Sequence, residues 1–298
     1  MIAAPPYYPL RKEADVLFGL FGINMGPCAS GLAVARVARL AEAAGFESVW
    51  TGEHVVLPDP QVPPSPVAPQ TPMLDPAVAL AVAATATKRL RLGTGIIILP
   101  QRNPAVLAKE LASVDVVSDG RLIFGLGIGY LKAEFDALGA PFSDKGARAL
   151  EYLEAMLALW TMEHPSYAGR FVSFAGIDAQ PRPVQRPHPP IVIGGRSPQA
   201  FGRALTHANG WYGFALDLDE TAACIAGLRA ARAAHSRPSA LGELHISVTP
   251  RGALTLDVVR RFADLGVTRL IPAWMSIPSE AALVERLNRF GDEVIAKL

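Results

Sequence analysis

The sequence predicts an α/β protein with a (β/α)8 barrel of the TIM type, formed as one domain by residues 16–298. Eight short apolar segments rich in β-branched residues alternate with segments of helical periodicity, which is the pattern of parallel strands joined by helices. The chain of 298 residues is long enough for one such barrel. A doubly wound open sheet is the main alternative, but eight regular units favour closure.

The predicted strands are short, and several end in glycine. They cover residues 16–25, 46–51, 90–99, 122–126, 191–195, 210–214, 243–249 and 267–271. The first strand ends at Asn24, and the helical pattern that follows it stops at Gly45, a residue that favours helix C-termini. A strand, a helix and a second strand in this order form a βαβ unit with parallel strands.

Capping residues mark the starts of several predicted helices. Asp75, Asn103 and Ser197 each precede a proline, and proline is favoured at the first helical position. The predicted helices cover residues 31–44, 76–88, 104–118, 132–138, 148–160, 198–207, 220–234, 256–265 and 279–296.

Proline-rich segments interrupt this alternation. Residues 55–72 contain seven prolines, which excludes a helix or a central strand. We interpret this segment as an active-site loop, with a disordered linker as the alternative, because it directly follows the second strand. Residues 164–190 form an irregular, proline-rich insertion before the fifth strand, with a small extended excursion at 169–174. Residues 1–15 are expected to be a disordered or loosely packed extension.

Composition limits the possible partners. Lys plus Arg number 28 and Asp plus Glu number 27, so neither nucleic acid nor an anionic membrane is an expected partner. The N-terminus lacks a signal-peptide pattern, and no apolar run is long enough to span a membrane. Cys28 and Cys224 have neither metal-ligand nor disulfide-framework spacing and are expected to be buried thiols. We therefore expect a cytoplasmic protein without a metal site.

Two neighbouring strand ends are the candidate floor of an active site. Glu53 and His54 follow the second strand and place a carboxylate beside an imidazole. Gly93 and Gly95 remove Cβ atoms from the third strand, which predicts that another group approaches closely. Ligands bind at the carboxyl ends of the strands in parallel barrels. For His54, a purely structural role is the alternative.

Two glycine-rich turns follow later strands. Residues 125–129, Gly-Leu-Gly-Ile-Gly, loosely resemble a dinucleotide fingerprint but lack its third glycine at the right place, and a tight strand-to-helix turn is an equally good explanation. Residues 194–197, Gly-Gly-Arg-Ser, combine backbone N–H groups, a cation and a capped helix N-terminus, which together favour phosphate binding. An ordinary capped turn is the alternative. No nucleophile elbow, Walker loop or paired-cysteine motif accompanies these turns, so a phosphate-bearing organic cofactor fits best.

Taken in order, the motifs resemble the bacterial luciferase-like superfamily of flavin and deazaflavin enzymes. The resemblance rests on GFESVWTGEH at 45–54, RLGTG at 91–95, NPAVLAKE at 103–110, SDGRL at 118–122 and the glycine pair at 194–195. It covers residues 16–298 and is strongest for the actinobacterial branch of coenzyme F420-dependent oxidoreductases. The joint order is specific, whereas any one motif alone is not.

The resemblance implies a flavin-type ring at the C-terminal mouth of the barrel. The implied cofactor is coenzyme F420, with FMN as the alternative, and the bond between Gly95 and Ile96 corresponds to a non-prolyl cis peptide of the superfamily. His54 corresponds to a histidine that lines the ring, and residues 194–197 correspond to the turn that binds phosphate. The implied cofactor-binding residues are Asn24, His54, Gly93, Thr94, Gly95, Ile96, Gly127, Ile128, Gly129, Gly194, Gly195, Arg196 and Ser197.

Two positions depart from the superfamily pattern. Tyr130 stands where deazaflavin-dependent sugar-phosphate dehydrogenases place a glutamate, which argues against oxidation of a sugar phosphate. Ile128 stands where luciferases carry an arginine, which argues against a luciferase-like grip on the phosphate of FMN.

The expected function is hydride transfer between C5 of F420 and a small organic substrate. His54 and Glu53 are the expected catalytic residues: His54 acts at the substrate or the ring edge, and Glu53 tunes or orients it. The first alternative is an FMN-dependent monooxygenase that uses oxygen and reduced flavin from a partner enzyme; the second is a flavin-binding protein without turnover. The superfamily dimerises through its second and third helices, and the alanine-rich segment 77–86 would permit close packing, so a homodimer is expected.

Overall fold

The computed structural model describes residues 16–274 and 277–298, so the predicted extension at residues 1–15 lies outside the described residues. The strands are β1 (Leu17–Phe21), β2 (Ser48–Thr51), β3 (Arg91–Thr94), β4 (Ile97–Ile98), β5 (Leu122–Gly127), β6 (Tyr167–Ala168), β7 (Ser173–Phe174), β8 (Ile191–Gly194), β9 (Gly210–Leu216), β10 (His245–Pro250) and β11 (Arg269–Leu270). The helices are α1 (Gly31–Ala43), α2 (Pro76–Ala86), α3 (Pro104–Val117), α4 (Lys132–Ala137), α5 (Lys145–Thr161), α6 (Pro198–His207), α7 (Leu218–Ala234), α8 (Leu256–Asp264) and α9 (Glu280–Glu293).

Hydrogen bonding closes the main sheet into a barrel. The strands follow the order β1, β2, β3, β5, β8, β9, β10 and β11, and β11 returns to β1. All of these neighbours are parallel. The predicted (β/α)8 barrel is therefore confirmed. The open-sheet alternative is wrong, because the sheet has no break between β3 and β5.

The helices begin where their capping residues predict. The side chains of Asp75, Asn103 and Ser197 accept hydrogen bonds from first-turn N–H groups of α2, α3 and α6. α7 begins earlier than predicted because Asp217 and Glu220 form a reciprocal capping box that fixes its first turn. Boundaries are thus decided by side-chain contacts that the apolar periodicity alone does not contain.

The third predicted strand, residues 90–99, is divided into β3 and β4. The peptide bond between Gly95 and Ile96 is cis, as the resemblance implied. The insertion before β8 contains the antiparallel pair β6 and β7, close to the predicted extended excursion. Residues 55–72, all of them described, contain neither helix nor strand, in agreement with the loop interpretation.

The interior of the barrel is filled below its carboxyl end. Trp50 and Tyr212 are almost completely buried, and their ring centroids lie 5.6 Å apart. Nearer the amino end, the fully buried Arg269 donates to both carboxylate oxygens of Glu47, at 2.8 and 3.0 Å. Because these side chains occupy the lower barrel, the space for a ligand lies towards the carboxyl mouth.

Among the described residues, no helix has the length and apolar character needed to cross a membrane. No group of His, Cys, Asp and Glu side chains in the same residues is arranged to hold a metal ion. Both cysteines are free and buried, which confirms that part of the prediction. Burial, followed by the charge of Glu280, raises the pKa of Cys28 to about 12, so this thiol stays protonated and unreactive at neutral pH.

The first residue of β10 makes stability depend on pH. Burial, together with the charges of Arg269 and Arg237, lowers the pKa of His245 to about 3. The His245 side chain therefore becomes protonated near pH 6.5 in the unfolded chain, but only near pH 3 in the folded chain. The resulting stabilisation is complete above pH 6.5 and is lost as the pH falls, by roughly 1.4 kcal/mol per pH unit.

We expect His245→Gln to reduce the loss of stability between pH 7 and pH 5 by about 2 kcal/mol. Urea unfolding at the two pH values measures this difference. His164→Gln is the control, because His164 is exposed in an irregular segment. An acid-dependent loss in the His245 variant equal to that of the wild type would contradict the assignment.

Candidate active site

A cavity of about 510 Å³ opens at the carboxyl end of the barrel. Its walls come from the ends of β1, β2, β5, β8 and β9, from Gly95, Ile96 and Ile98, and from the proline-rich loop through Pro66 and Val67. A larger groove of about 810 Å³ lies between α9 and the segments that follow β10 and β11, and its lining includes none of the candidate site residues. The mouth cavity is therefore the candidate active site.

The cavity brings together strand ends that are far apart in the sequence. The predicted site residues that line it are Glu53, His54, Gly95, Ile96, Gly127, Ile128, Gly129, Gly194, Gly195, Arg196 and Ser197. Contact of Pro66 and Val67 with the same cavity agrees with the interpretation of residues 55–72 as an active-site loop.

Asn24 and Thr94 do not line the cavity, contrary to the expected cofactor contact. Both are fully buried. The Asn24 amide donates to the carbonyl oxygens of Gly52 and Leu74 at 2.9 and 2.7 Å, and so ties the segment after β1 to the end of β2. The Thr94 hydroxyl donates to the Gly125 carbonyl at 2.7 Å and accepts the Gly125 N–H at 2.8 Å. These side chains brace the walls.

Gly93 also has a structural role in place of the expected cofactor contact. A Cβ atom at Gly93 would lie 2.4 Å from the indole of Trp50, so any larger residue would displace this ring. At Gly95 a Cβ atom would lie 3.1 Å from the carbonyl oxygen of Thr51. The close approach predicted for this strand is therefore present, but at Gly93 the approaching group is a protein side chain.

Ile96 lies across the ends of β5 and β8 and forms an apolar part of the cavity floor. A Cβ atom at Gly127 would lie 2.6 Å from Ile96 Cδ1, and one at Gly194 would lie 3.4 Å from Ile96 Cγ2. The two glycines thus leave the room that the Ile96 side chain occupies. A half-buried aliphatic side chain at the floor offers a packing surface for a flat ring, so these residues fit a flavin-type group.

Glu53 does not orient His54, which corrects the expected role. Its carboxylate accepts hydrogen bonds from the N–H of Ile98 and from the guanidinium of Arg102. Arg102 also donates to Asp75 at 2.9 Å. The Glu53 side chain is only 2% exposed. It therefore ties the end of β2 to the segment beyond the cis peptide, where sequence adjacency had suggested His54 as its partner.

The partner of His54 is Glu134, at the start of α4. Glu134 Oε2 lies 3.1 Å from His54 Nδ1, and Oε1 accepts the N–H of Val55 at 2.6 Å. On the other side of the imidazole, the Tyr130 hydroxyl lies 3.4 Å from Nε2. Sequence analysis missed Glu134, because an acidic residue in the first turn of a short helix is normally a solvated helix-end charge.

The turn after β8 has the local geometry of an anion site. Gly195 has φ +124°, a conformation that favours glycine. Ser197 caps α6 by accepting the N–H of Ala200 at 3.2 Å. Arg196, the expected cation, donates to the carbonyl oxygen of Phe214 at 2.9 Å and pairs with Glu220 at 3.4 Å. Its positive charge is therefore partly neutralised by the protein itself.

A second cation, Arg203 of α6, lines the same cavity. Within residues 16–274 and 277–298, no acceptor forms a hydrogen bond or ion pair with its side chain. Burial lowers the pKa of Arg203. Sequence analysis missed it, although its three-residue spacing from Ala200, another lining residue, placed it near the same face of α6.

The wall beside His54 is apolar. The rings of Phe21 and Phe214 lie 4.9 Å apart at their centroids. The sulfur of Met73 lies 3.2 Å from the backbone nitrogen of His54. The backbone of Met73 forms an isolated antiparallel β-bridge with that of Met25. All four side chains line the cavity. The mouth therefore has an apolar side near β1 and a cationic side near β8.

Comparison with known proteins decides the family. A model of the luciferase-like monooxygenase family matches residues 26–267. The chain belongs to this family. An uncharacterised protein from Mycobacterium tuberculosis is 32% identical over 280 residues, which cover 90% of this chain and 96% of that protein. The resemblance found in the sequence is thereby confirmed.

Two further similar proteins are named for different cofactors. The oxygenase component of the flavin-dependent trigonelline monooxygenase from Acinetobacter baylyi is 31% identical over 172 residues, 57% of this chain and 44% of that protein. The coenzyme F420-dependent tetrahydromethanopterin reductase from Methanopyrus kandleri has the same fold, with a TM-score of 0.76 at 18% identity over 95% of this chain and 99% of that one. Proteins similar to this chain in sequence or in fold thus include a flavin-dependent monooxygenase component and an F420-dependent reductase.

Proposed function

We propose that this luciferase-like protein binds coenzyme F420 and transfers a hydride between C5 of the cofactor and a small organic substrate. The observation that carries the proposal is the division of one cavity into an apolar floor at Ile96, a cationic side at residues 194–203 and a proton-exchanging group at His54. When bound, the deazaflavin supplies the carbon that accepts or gives the hydride. Ile128, in place of the luciferase arginine, favours F420 over FMN.

Each part of the cavity has a separate task. Ile96 packs against the ring, and the turn at 194–197 with Arg203 holds the phosphate by backbone N–H groups and a cation. His54 exchanges the proton that accompanies hydride transfer. Pro66 and Val67 of the loop cover the apolar side and limit the entry of water.

We expect Arg203→Met to weaken F420 binding by tenfold or more, because a charge-assisted hydrogen bond contributes roughly 1.5–3 kcal/mol. Arg196→Met is the matched control, since Glu220 and Phe214 already engage that guanidinium. Its effect on affinity should stay below about threefold. Fluorescence titration of the two variants measures both values. A larger loss for the Arg196 variant would contradict this placement of the phosphate.

An FMN-dependent monooxygenase is the second candidate, and the similarity to the trigonelline monooxygenase component favours it. The two functions differ in their use of oxygen. The proposed function predicts that F420 is reduced by one of a set of small alcohols, or reduced F420 oxidised by one of a set of small carbonyl compounds. The rate should be the same with and without air. The alternative predicts oxygen consumption that requires reduced FMN. Strict dependence on oxygen would refute the proposed hydride transfer.

We also propose that the protein is a homodimer joined through α2 and α3. α2 is apolar around its whole circumference, yet Val78 remains 58% exposed, and Val106 on the adjacent α3 is 55% exposed. A helix that is apolar on all sides normally packs against partners on both faces. A second copy of the chain is the proposed partner. Sedimentation should give a dimer for the wild type and a monomer for the combined Val78→Asp and Val106→Asp variant.

A further inference from the structure

The buried carboxylate of Glu134 fixes the proton on one nitrogen of His54. Oε1 accepts the Val55 N–H at 2.6 Å, and Oε2 lies 3.1 Å from His54 Nδ1. The Glu134 side chain is 0% exposed, so water does not compete for these oxygens. Because an ionised carboxylate only accepts, the nitrogen that faces it carries the proton. Nε2 is then the nitrogen that faces the cavity with a lone pair.

The Tyr130 hydroxyl is the group next to that lone pair. It lies 3.4 Å from Nε2, and the two rings meet edge to face with centroids 5.8 Å apart. Tyr130 lines the cavity and is 48% exposed. Burial of part of the ring, followed by the charge of Glu134, raises the pKa of Tyr130. The phenol therefore keeps its proton at neutral pH. It can donate this proton to His54 Nε2 only while its oxygen accepts a proton from another group.

We propose that Glu134 is the positioning residue and Tyr130 a catalytic residue of a proton relay through His54, and that the substrate is an alcohol or the corresponding carbonyl compound. A relay of this kind serves a substrate whose reacting carbon bears an oxygen that gains or loses a proton with the hydride. The reaction part of this inference rests on the proposed hydride transfer. The assignment of the His54 proton does not.

In the oxidation direction, the C–H bond of the alcohol would break and its electron pair would leave as hydride, for which a bound oxidised deazaflavin would supply the acceptor carbon C5. The O–H bond breaks, its proton goes to the Tyr130 oxygen, and the phenolic proton goes to Nε2 of His54 as the C=O bond forms. The substrate loses the two electrons that the deazaflavin gains. The Glu134 carboxylate balances the positive charge of the imidazolium until the imidazolium proton returns to solvent. Solvent in turn would supply the proton that the reduced deazaflavin takes up.

Glu134→Gln tests the positioning role by moving the imidazole proton of His54 from Nδ1 to Nε2. The Val55 N–H still requires an acceptor, so the amide oxygen takes that place and the amide NH₂ group faces His54 Nδ1. The imidazole proton then moves to Nε2. Nitrogen-15 NMR of ring-labelled protein without cofactor, at a pH where the ring is neutral, reads this directly. We expect the Nδ1–H form in the wild type and the Nε2–H form in the variant.

The kinetic arm uses Glu134→Gln, Tyr130→Phe and the control Asp136→Asn, which changes a side chain of the same helix that is 58% exposed. The first two variants should lose about 100-fold in kcat while their F420 dissociation constants change by less than about twofold. The control should match the wild type in both. Because Tyr130 is half exposed, Tyr130→Phe should fold normally. It therefore tests the relay even if Glu134→Gln fails to fold.

Two results would overturn the inference: a wild-type His54 with its proton on Nε2, or wild-type kcat in Tyr130→Phe. The expected NMR result in a protein that binds no F420 would support the positioning role and refute the proposed cofactor. The two failures are therefore distinguishable.

Discussion

Replacing Glu53 by Ala should destabilise the protein by about 3–5 kcal/mol. The substitution leaves the Ile98 N–H and one side of the Arg102 guanidinium without their acceptor. Arg102 is 20% exposed, so water restores only part of what is lost, although its contact with Asp75 persists. The segment beyond the cis peptide would lose its tie to β2. Cofactor affinity should therefore fall together with stability.

Urea unfolding of Glu53→Ala, with Glu285→Ala as the matched control, measures this effect. Glu285 also pairs with an arginine, but the Glu285 and Arg289 side chains are 71% and 60% exposed. Loss of such an exposed pair should lower stability by less than about 0.5 kcal/mol. Equal effects of the two substitutions would show that the Glu53 contact does not hold the site together.

Gly127→Val should weaken F420 binding by roughly 10- to 100-fold, because overpacking of this kind typically costs 1–3 kcal/mol. The new Cβ atom would lie 2.6 Å from Ile96 Cδ1 and 3.1 Å from Ile96 Cγ1. The isoleucine must then move, and the space on its open side is the cavity itself. The floor on which the ring packs would be lost while the strand remains intact.

Fluorescence titration measures this loss, and Gly31→Ala is the control because a Cβ atom there meets no atom within 4 Å. The milder Gly127→Ala should give an intermediate affinity. Unchanged affinity in Gly127→Val would mean that the ring does not rest on Ile96, and would move the proposed cofactor position away from the floor.

The fold was predictable because its determinants are local. Short apolar segments between segments of helical periodicity located the eight barrel strands. The residues Asp75, Asn103 and Ser197 marked helix starts through contacts with residues two or three positions away. Glycines at Gly93 and Gly95 correctly indicated close packing in the third strand. What they could not indicate was the identity of the neighbour, because Trp50 belongs to another strand.

The missed parts of the site depend on contacts between distant residues. Glu134 meets His54 across 80 residues, whereas the sequence neighbour Glu53 turns to Arg102 instead. Arg196 differs from Arg203 because it contacts Glu220 on the next helix and the carbonyl oxygen of Phe214. Residue type and spacing mark such groups as candidates. Their partners follow only from the way in which the barrel closes.

The most direct test of the proposed function is a titration of the purified apo-protein with oxidised F420 and, separately, with FMN, followed by cofactor fluorescence. The proposal predicts micromolar or tighter binding of F420, at least tenfold tighter than that of FMN, and a clear loss in Arg203→Met. Tighter binding of FMN than of F420 would contradict it and favour the monooxygenase.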